Sequence, residues 1–197
     1  NDYVMFGSME GALHLAKSEN GKEALAFIPK KIVTEQAKAL KEAAVSLDPN
    51  QQTPVFGVDA PWTARGLYDY KFETDGSGKV SANTMNIYGG LSRGGVGLYG
   101  LNVSTIATPT KLFAIDETTT GYSRLGMTMA QPVFGKIKMG TGRNTTKEVI
   151  IFGGGYDKCY EDPTFKLNAT DNNLDSCNNI AQAKGNAVYI ADAKTGA

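Results

Sequence analysis

Short apolar segments alternate with polar, glycine-bearing turns along most of the chain. The stretch "MNIYGGLSRGGVGLYGLNV" is typical, because an apolar run ends in two glycines, a turn with one arginine follows, and an apolar run then resumes. Apolar runs bounded by turn residues predict antiparallel strands with short connections. The opening stretch, "YVMFGSMEGALHLAKSENGKEALAFIP", predicts a meander of such strands.

The order of strand, glycine turn and strand recurs along the sequence. It is found in "YVMFGSMEGALHLAKSENG", in "MNIYGGLSRGGVGLYGLNVST" and, with a long insertion in the turn, in "VIIFGGGYDK" followed by "GNAVYIADAKTG". Repeated antiparallel units of this kind are typical of propeller blades, because neighbouring blades bury each other's faces. We therefore predict a mainly β fold, a partial or modified β-propeller of antiparallel meander blades with a short helical insert.

One segment has helical rather than strand character. Residues 34–47, "TEQAKALKEAAVSL", begin with Thr34 as a candidate N-cap, are rich in alanine and lysine, and are followed by Pro49. We predict a surface helix there, inserted into one domain that spans residues 1–197. The sequence starts on a strand and stops within a turn motif, so we expect a fragment of a larger protein or a processed product.

Charge and length limit the range of functions. The 197 residues suffice for a domain with a hydrophobic core, and 20 basic residues balance 20 acidic residues at a pI of about 6.8. This balance gives no general attraction to nucleic acid or to an anionic membrane. No stretch approaches the roughly 18–20 apolar residues of a membrane-spanning helix. We expect no nucleic-acid partner and no membrane span.

The glycines of residues 89–97 raise the question of a phosphate-binding loop. Such a loop lies between a strand and the N-terminus of a helix, whereas a strand follows these glycines. We therefore expect them to allow positive φ angles and close backbone contacts.

The two cysteines enclose a long polar segment. Cys159 and Cys177 flank "YEDPTFKLNATDNNLDS", and His14 is the one histidine, so the sequence lacks the usual ligands of a zinc site. Two buried free thiols are one interpretation. A disulfide that closes the loop fits better, because a polar loop has few core contacts to hold it, and it would contribute about 3 kcal/mol. A disulfide indicates an oxidising compartment.

Several residues are candidates for binding. Asp171, Asn173 and Asp175 have the spacing of the first oxygen ligands of a calcium loop, although the later positions depart from that pattern and a solvated loop is the simpler interpretation. Arg93, at the tip of a hairpin, either contacts an anionic partner or is merely solvated. The aromatic side chains at the cystine loop are candidates for partner binding, namely Tyr156, Tyr160 and Phe165.

An ordered set of motifs gives a family resemblance. The sequence contains, in this order, "GSMEGALHL", "VFGVDAP", "YGGLSRGGVGLYGLNV", "LGMTMAQPVF", "VIIFGGGYD" and "GNAVYIADAKTG". Each motif is weak alone, but their order across nearly the whole chain resembles the C-terminal propeller of the PilY/PilC proteins. That family comprises tip-associated adhesins and biogenesis factors of bacterial type IV pili.

The resemblance implies a location and a set of partners. It implies the cell surface or pilus tip, associated with the outer membrane and reached through the periplasm. The implied partners are minor pilins and a host receptor or glycan, and the implied role is binding rather than catalysis. The chain departs from the family at "VDAPW", where alanine replaces a glycine, and in its helical insert and cystine loop. The family's calcium loop follows the turn that "DAKTG" matches.

Two other functions fit parts of the pattern. Quinone-cofactor dehydrogenases share propeller blades, but their recurring tryptophans contrast with the single Trp62 here, and the sequence lacks adjacent cysteines. A carbohydrate- or protein-binding propeller unrelated to pili would show exposed aromatic residues on its loops. The cystine-loop aromatics are candidates for that role, so the sequence leaves this alternative open.

Overall fold

A computed structural model gives the arrangement of the chain, and it describes residues 2–37, 40, 56–72, 74–139, 141–142 and 145–197. The secondary structure consists of strands joined by turns and short helices. The strands are β1 (Tyr3–Gly7), β2 (Leu13–Lys17), β3 (Glu23–Phe27), β4 (Trp62–Phe72), β5 (Gly78–Gly90), β6 (Leu98–Asn102), β7 (Thr110–Ile115), β8 (Val133–Lys138), β9 (Thr146–Gly153) and β10 (Val188–Asp192). The helix α1 spans Lys30–Glu35.

The strands form three antiparallel sheets that follow one another along the chain. The first sheet has the order β1-β2-β3, the second β4-β5-β6-β7, and the third β8-β9-β10. Each strand pairs with its neighbour in sequence, so each sheet is a meander. The predicted mainly β fold of antiparallel meanders is confirmed. The propeller stays a prediction, because three successive sheets do not by themselves form a closed ring.

The helical segment begins earlier than the sequence predicts. The α1 helix covers Lys30–Glu35 and follows Pro29, whose fixed φ angle suits a helix start. Most of the predicted helix at 34–47 lies outside the described residues. The α1 helix buries Ile32 completely and thereby attaches to the core. No helix in the described part of the chain combines the length and apolarity needed to cross a membrane.

The second sheet is covered on both faces. In β5, Ile87 belongs to the core shared with the first sheet, whereas the next residue, Tyr88, belongs to the core shared with the third sheet. In β6, Leu98 and Tyr99 divide in the same way. Successive side chains of a strand point to opposite faces, so both faces of this sheet must be apolar. The hydrophobic pattern of "NIYGGL" and "GLYGLNV" reflects this double burial.

The two cores differ in composition, since aromatic residues are two of ten in the first and four of ten in the second. The first core contains Leu13, Leu15, Ile32, Val58, Trp62, Ile87, Leu91, Tyr99, Leu101 and Val103. The second core contains Tyr88, Leu98, Phe113, Ile115, Tyr122, Leu125, Ile150, Phe152, Ala191 and Ala193. The buried hydroxyl of Tyr122 donates to the carbonyl oxygen of Gly196 at 2.8 Å, which ties the end of the third sheet to this core.

The glycines after β5 serve mainly for close approach. A Cβ atom on Gly94 would overlap the carbonyl oxygen of Gly57, so the turn after β5 fits against that backbone only without a side chain. Gly95 has a φ of 145°, which glycine adopts without strain. The expected close contacts are thus present, and among residues 89–97 the positive φ angles occur at Ser92 and Gly95.

We predict that Gly94→Ala lowers the free energy of unfolding by about 1–3 kcal/mol, because the new Cβ must displace the Gly57 backbone. Gly153→Ala is the matched control, since a Cβ there meets nothing within 4 Å. We expect that control to be neutral or stabilising by up to about 1 kcal/mol. Urea denaturation of both variants measures the difference, and equal stability of the two would refute the close-approach role.

Candidate functional site

A cleft of about 340 Å³ lies beside the cystine loop, and we call it the cystine-loop cleft. One wall is the turn after β5, with Arg93 and Gly95, and the other is the base of the cystine loop, residues 156–159. The rest of the lining consists of Glu35, Gln36, Val96, Gly126, Met127, Ser176, Ile180 and Lys184. The structure therefore brings Arg93, Tyr156 and Cys159 together, although they lie far apart in sequence.

A short extended segment, residues 126–128, joins the two walls. The backbone of Met127 exchanges hydrogen bonds of 2.8 and 2.9 Å with Tyr156 on the cystine-loop side. On the other side, Ser92 donates its N–H to the carbonyl oxygen of Thr128 at 3.2 Å. The buried hydroxyl of Thr128 donates to Gly97 at 2.9 Å. These bonds fix the distance between the walls.

Arg93 is held in place yet remains accessible. Its Nε donates to Asp59 Oδ2 at 3.1 Å, and its guanidinium lies 4.2 Å from the centre of the Phe56 ring. The side chain is still 54% exposed. A guanidinium has five donors, so one ion pair and one aromatic contact leave donors free for a partner.

The base of the cystine loop is anchored by a buried carboxylate. Asp157 is 8% exposed, and its Oδ1 accepts a hydrogen bond of 3.1 Å from the backbone N–H of Cys159, which begins a 3-10 turn at Lys158–Glu161. Within the described residues, its Oδ2 is buried without a hydrogen-bond partner. The charged residues of the lining are Arg93, Lys158 and Lys184 against Glu35 and Asp157, so basic groups exceed acidic groups by one.

The expected disulfide is present. Cys159 and Cys177 are bonded, with their Cα atoms 5.7 Å apart, and each is 2% exposed. Both cysteines are accounted for in this bond. The loop between them is polar, so the buried cystine supplies it with the apolar anchor that its own side chains do not provide.

Asn172 organises the interior of the cystine loop. Its Oδ1 accepts from the N–H of Lys166 at 2.9 Å, and its Nδ2 donates to the carbonyl oxygens of Lys166 and Cys177 at 3.0 and 2.9 Å. Its own N–H donates to Asn178 Oδ1 at 2.8 Å. Sequence reasoning missed this residue, because nothing in "ATDNNLDS" distinguishes one asparagine from the next.

The predicted aromatic residues divide between two places. Tyr160 and Phe165 form an edge-to-face pair with ring centres 5.5 Å apart, and Tyr160 is 49% exposed. They lie on the cystine loop rather than in the lining of the cleft, whereas Tyr156 lies in that lining. The predicted contact surface therefore has a charged and polar part at the cleft and an aromatic part on the loop.

The calcium candidates are exposed on the same loop. Asp171, Asn173 and Asp175 are exposed, and Asn173 donates its Nδ2 to Asp162 Oδ2 at 2.8 Å. Across the described ranges, no group of three or more His, Cys, Asp or Glu side chains is arranged to hold a metal ion. That result does not cover asparagine as a ligand, so calcium binding by this set stays a prediction.

His14 lies elsewhere, on the outer face of the first sheet. Its Nδ1 lies 2.5 Å from Glu23 Oε2, its Nε2 lies 3.1 Å from Ser8 Oγ, and its ring stacks on Phe6. These contacts connect β2 to its neighbours and give His14 a structural role in this sheet.

We predict that the double substitution Cys159→Ser and Cys177→Ser lowers the free energy of unfolding by about 3 kcal/mol, because a closed loop restricts the unfolded chain. The cysteines are 18 residues apart in sequence. Urea denaturation should show the same loss for the wild-type protein under reducing conditions. A reductant should have no effect on the double variant, and unchanged stability of that variant would contradict the prediction.

We also predict a low pKa for Asp162. The Thr164 hydroxyl and N–H donate to Asp162 Oδ1 at 2.6 and 2.8 Å, which lowers the pKa of this carboxyl. The stabilisation is therefore present above the ordinary aspartate pKa and is lost as the pH falls through the lowered value. Carbon-detected NMR titration should show an upward shift of the Asp162 pKa in Thr164→Val. Asp75, whose pKa is lowered by Ser77, is the control and should not respond.

Comparisons with known proteins agree with the motifs. No family model matches the chain. The type IV pilus biogenesis factor PilY1 homolog of Xylella fastidiosa, strain Temecula1, is 28% identical over 152 residues, which is 74% of this chain and 11% of that protein. The chain therefore spans a small part of this relative.

A solved structure shares the fold. The crystal structure of the Pseudomonas aeruginosa PilY1 C-terminal domain matches with a TM-score of 0.54 and 21% sequence identity, over 99% of this chain and 28% of that chain. At this identity the match concerns the fold. The sequence match to the PilY1 homolog supports a PilY1-type assignment, as the ordered motifs indicated. The structural match shows that the chain shares the fold of a PilY1 C-terminal domain.

Proposed function

We propose that the chain belongs to a type IV pilus-associated protein that acts by binding, at the cell surface or pilus tip. The proposal draws on the likeness to PilY1 proteins, one of which is named a pilus biogenesis factor. The observation that carries it is the cystine-loop cleft, where the turn of Arg93 and the base of the tethered loop meet on a rigid scaffold. Binding residues are typically found on loops held by such scaffolds.

The two parts of the surface suit different contacts. The cleft offers the guanidinium of Arg93 and the ammonium groups of Lys158 and Lys184, which favour carboxylates or polar groups of a partner. The Tyr160–Phe165 pair offers exposed aromatic area, as protein and sugar partners use. Minor pilins and a host receptor or glycan are the partners we propose, and this role is adhesion or pilus biogenesis rather than catalysis.

The disulfide supports the proposed location. A buried cystine forms and persists in oxidising compartments such as the periplasm and the cell surface. A chain that folds on its way through the periplasm to the outer surface would acquire it. The proposed association with the outer membrane and the pilus tip follows from this route and from the likeness to PilY1.

The first experiment is immunogold electron microscopy of intact source cells with antibody raised against this chain. We expect gold particles on the outer surface or at pilus tips. Cells that lack pilins are the control and should lose the tip-associated particles. Gold confined to the periplasm, with no relation to filaments, would overturn the pilus proposal and favour a periplasmic enzyme of the quinone-cofactor class.

A second experiment tests the cystine loop in the intact protein. We predict that Tyr160→Ala reduces attachment of piliated cells several-fold, because it removes the exposed ring of the aromatic pair. Met139→Ala is the control, since that side chain is 51% exposed and lies at the opposite end of the third sheet. Equal attachment of the two variants, with equal amounts of protein at the surface, would exclude the loop as the contact surface.

A further inference from the structure

The hairpin of β4 and β5 extends well beyond the rest of the second sheet. β6 pairs with β5 only over Asn86–Gly90, whereas β4 pairs with β5 along its whole length. The outer part of the hairpin, residues 67–72 and 78–84, is here called the aromatic arm. It carries large apolar side chains in water, with Tyr68, Tyr70, Phe72 and Val80 exposed by 52%, 72%, 86% and 56%.

A β-bulge places these side chains on one face. The pairing shifts between Leu67 and Tyr68, so that Leu67 lies opposite Thr84 and Tyr68 lies opposite Ala82, which leaves Asn83 as the extra residue. As a result, Ala82 and Val80 lie on the same face of the sheet as Met85 and Ile87. Without the bulge, strict alternation would have placed residues 83, 81 and 79 on that face instead. The apolar face of the sheet therefore continues from the first core onto the arm.

A large cleft lies where this face leaves the core. Its volume is about 630 Å³, and it lies between the inner face of the first sheet and the base of the arm. Tyr3, Met5 and Leu15 line one side, and Tyr68, Val80 and Ala82 line the arm side. Among the described lining residues, Asp2 is the one charged group. A strongly acidic occupant is therefore disfavoured.

The edge of β5 is open beside this cleft. Val103 donates its N–H to the carbonyl oxygen of Met85 at 2.8 Å, and Met85 donates to the Ser104 hydroxyl at 2.9 Å, where the chain turns away from β5. Beyond this point, in the described part of the chain, residues 78–84 pair with β4 alone. The main-chain donors and acceptors on that edge match an extended strand, as in strand addition to a sheet.

We propose that the aromatic arm and its cleft bind an extended strand of another protein, which continues the line of β6 along residues 78–84 of β5 and places apolar side chains into the cleft at alternate positions. The open edge specifies an extended backbone. The lining specifies apolar side chains on one face, and Asp2 favours a neutral or basic segment. This inference does not depend on the proposed pilus association.

The test uses the 197-residue chain and a synthetic peptide of alternating valine and threonine with a lysine at each end. We expect the peptide to slow amide hydrogen exchange at residues 79–84, measured by mass spectrometry or NMR. A peptide of the same sequence with alternate amides N-methylated keeps the side chains but cannot form the ladder, and we expect it to give no protection. Protection by the methylated peptide would overturn the proposal.

Matched variants locate the site. Val80→Lys places a charge on the aromatic arm, whereas Val188→Lys places one on β10, and both valines are exposed, by 56% and 74%. We expect Val80→Lys to weaken peptide binding at least tenfold and Val188→Lys to leave it unchanged. Equal effects of the two variants, or protection that appears at β10 instead, would overturn the proposal. So would a dimer in sedimentation experiments that Val80→Lys dissociates, since the occupant would then be a second copy.

Discussion

Burial of both faces of the second sheet is the constraint on which the rest of the structure depends. Ile87 and Tyr88 are neighbours in sequence, yet one lies in each core, and Leu98 and Tyr99 repeat this arrangement on the next strand. The segment Ile87–Gly90 has no solvent side, so its residues are apolar or aromatic, and glycine takes the places where a facing side chain needs room. The first and third sheets are held in the domain by what they bury against these two faces.

The same constraint places the cystine-loop cleft at the ends of the strands. The turn after β5 packs closely against the chain before β4, because the backbone of Gly94 lies against that of Gly57. This close packing holds the turn with Arg93 at a fixed place on the surface. The segment around Met127 joins that turn to Tyr156 at the base of the cystine loop. The cleft is therefore a consequence of core packing.

The sequence predicted the parts of the fold that local patterns encode. Alternating apolar runs and glycine turns predicted the antiparallel meanders. The polar segment between Cys159 and Cys177 predicted the disulfide, and the structure contains both. The contact of Arg93 with Phe56 could not be predicted, because it joins residues distant in sequence whose approach depends on the packed sheets. The aromatic arm was missed for another reason: a single bulge at Asn83 reverses the alternation, so the pattern before the bulge assigns the wrong residues to the apolar face.

One strand connects the two candidate surfaces. β5 has 13 residues, so it extends over ~40 Å at ~3.3 Å per residue. Its first half forms the aromatic arm and its last residues lead into the turn of Arg93. The two clefts have no lining residue in common, and sites without shared contacts respond independently to substitution. The two surfaces also differ in chemistry, since the cystine-loop cleft is lined by several charged residues and the cleft at the arm mainly by apolar ones. The two partners that we propose would therefore contact different side chains.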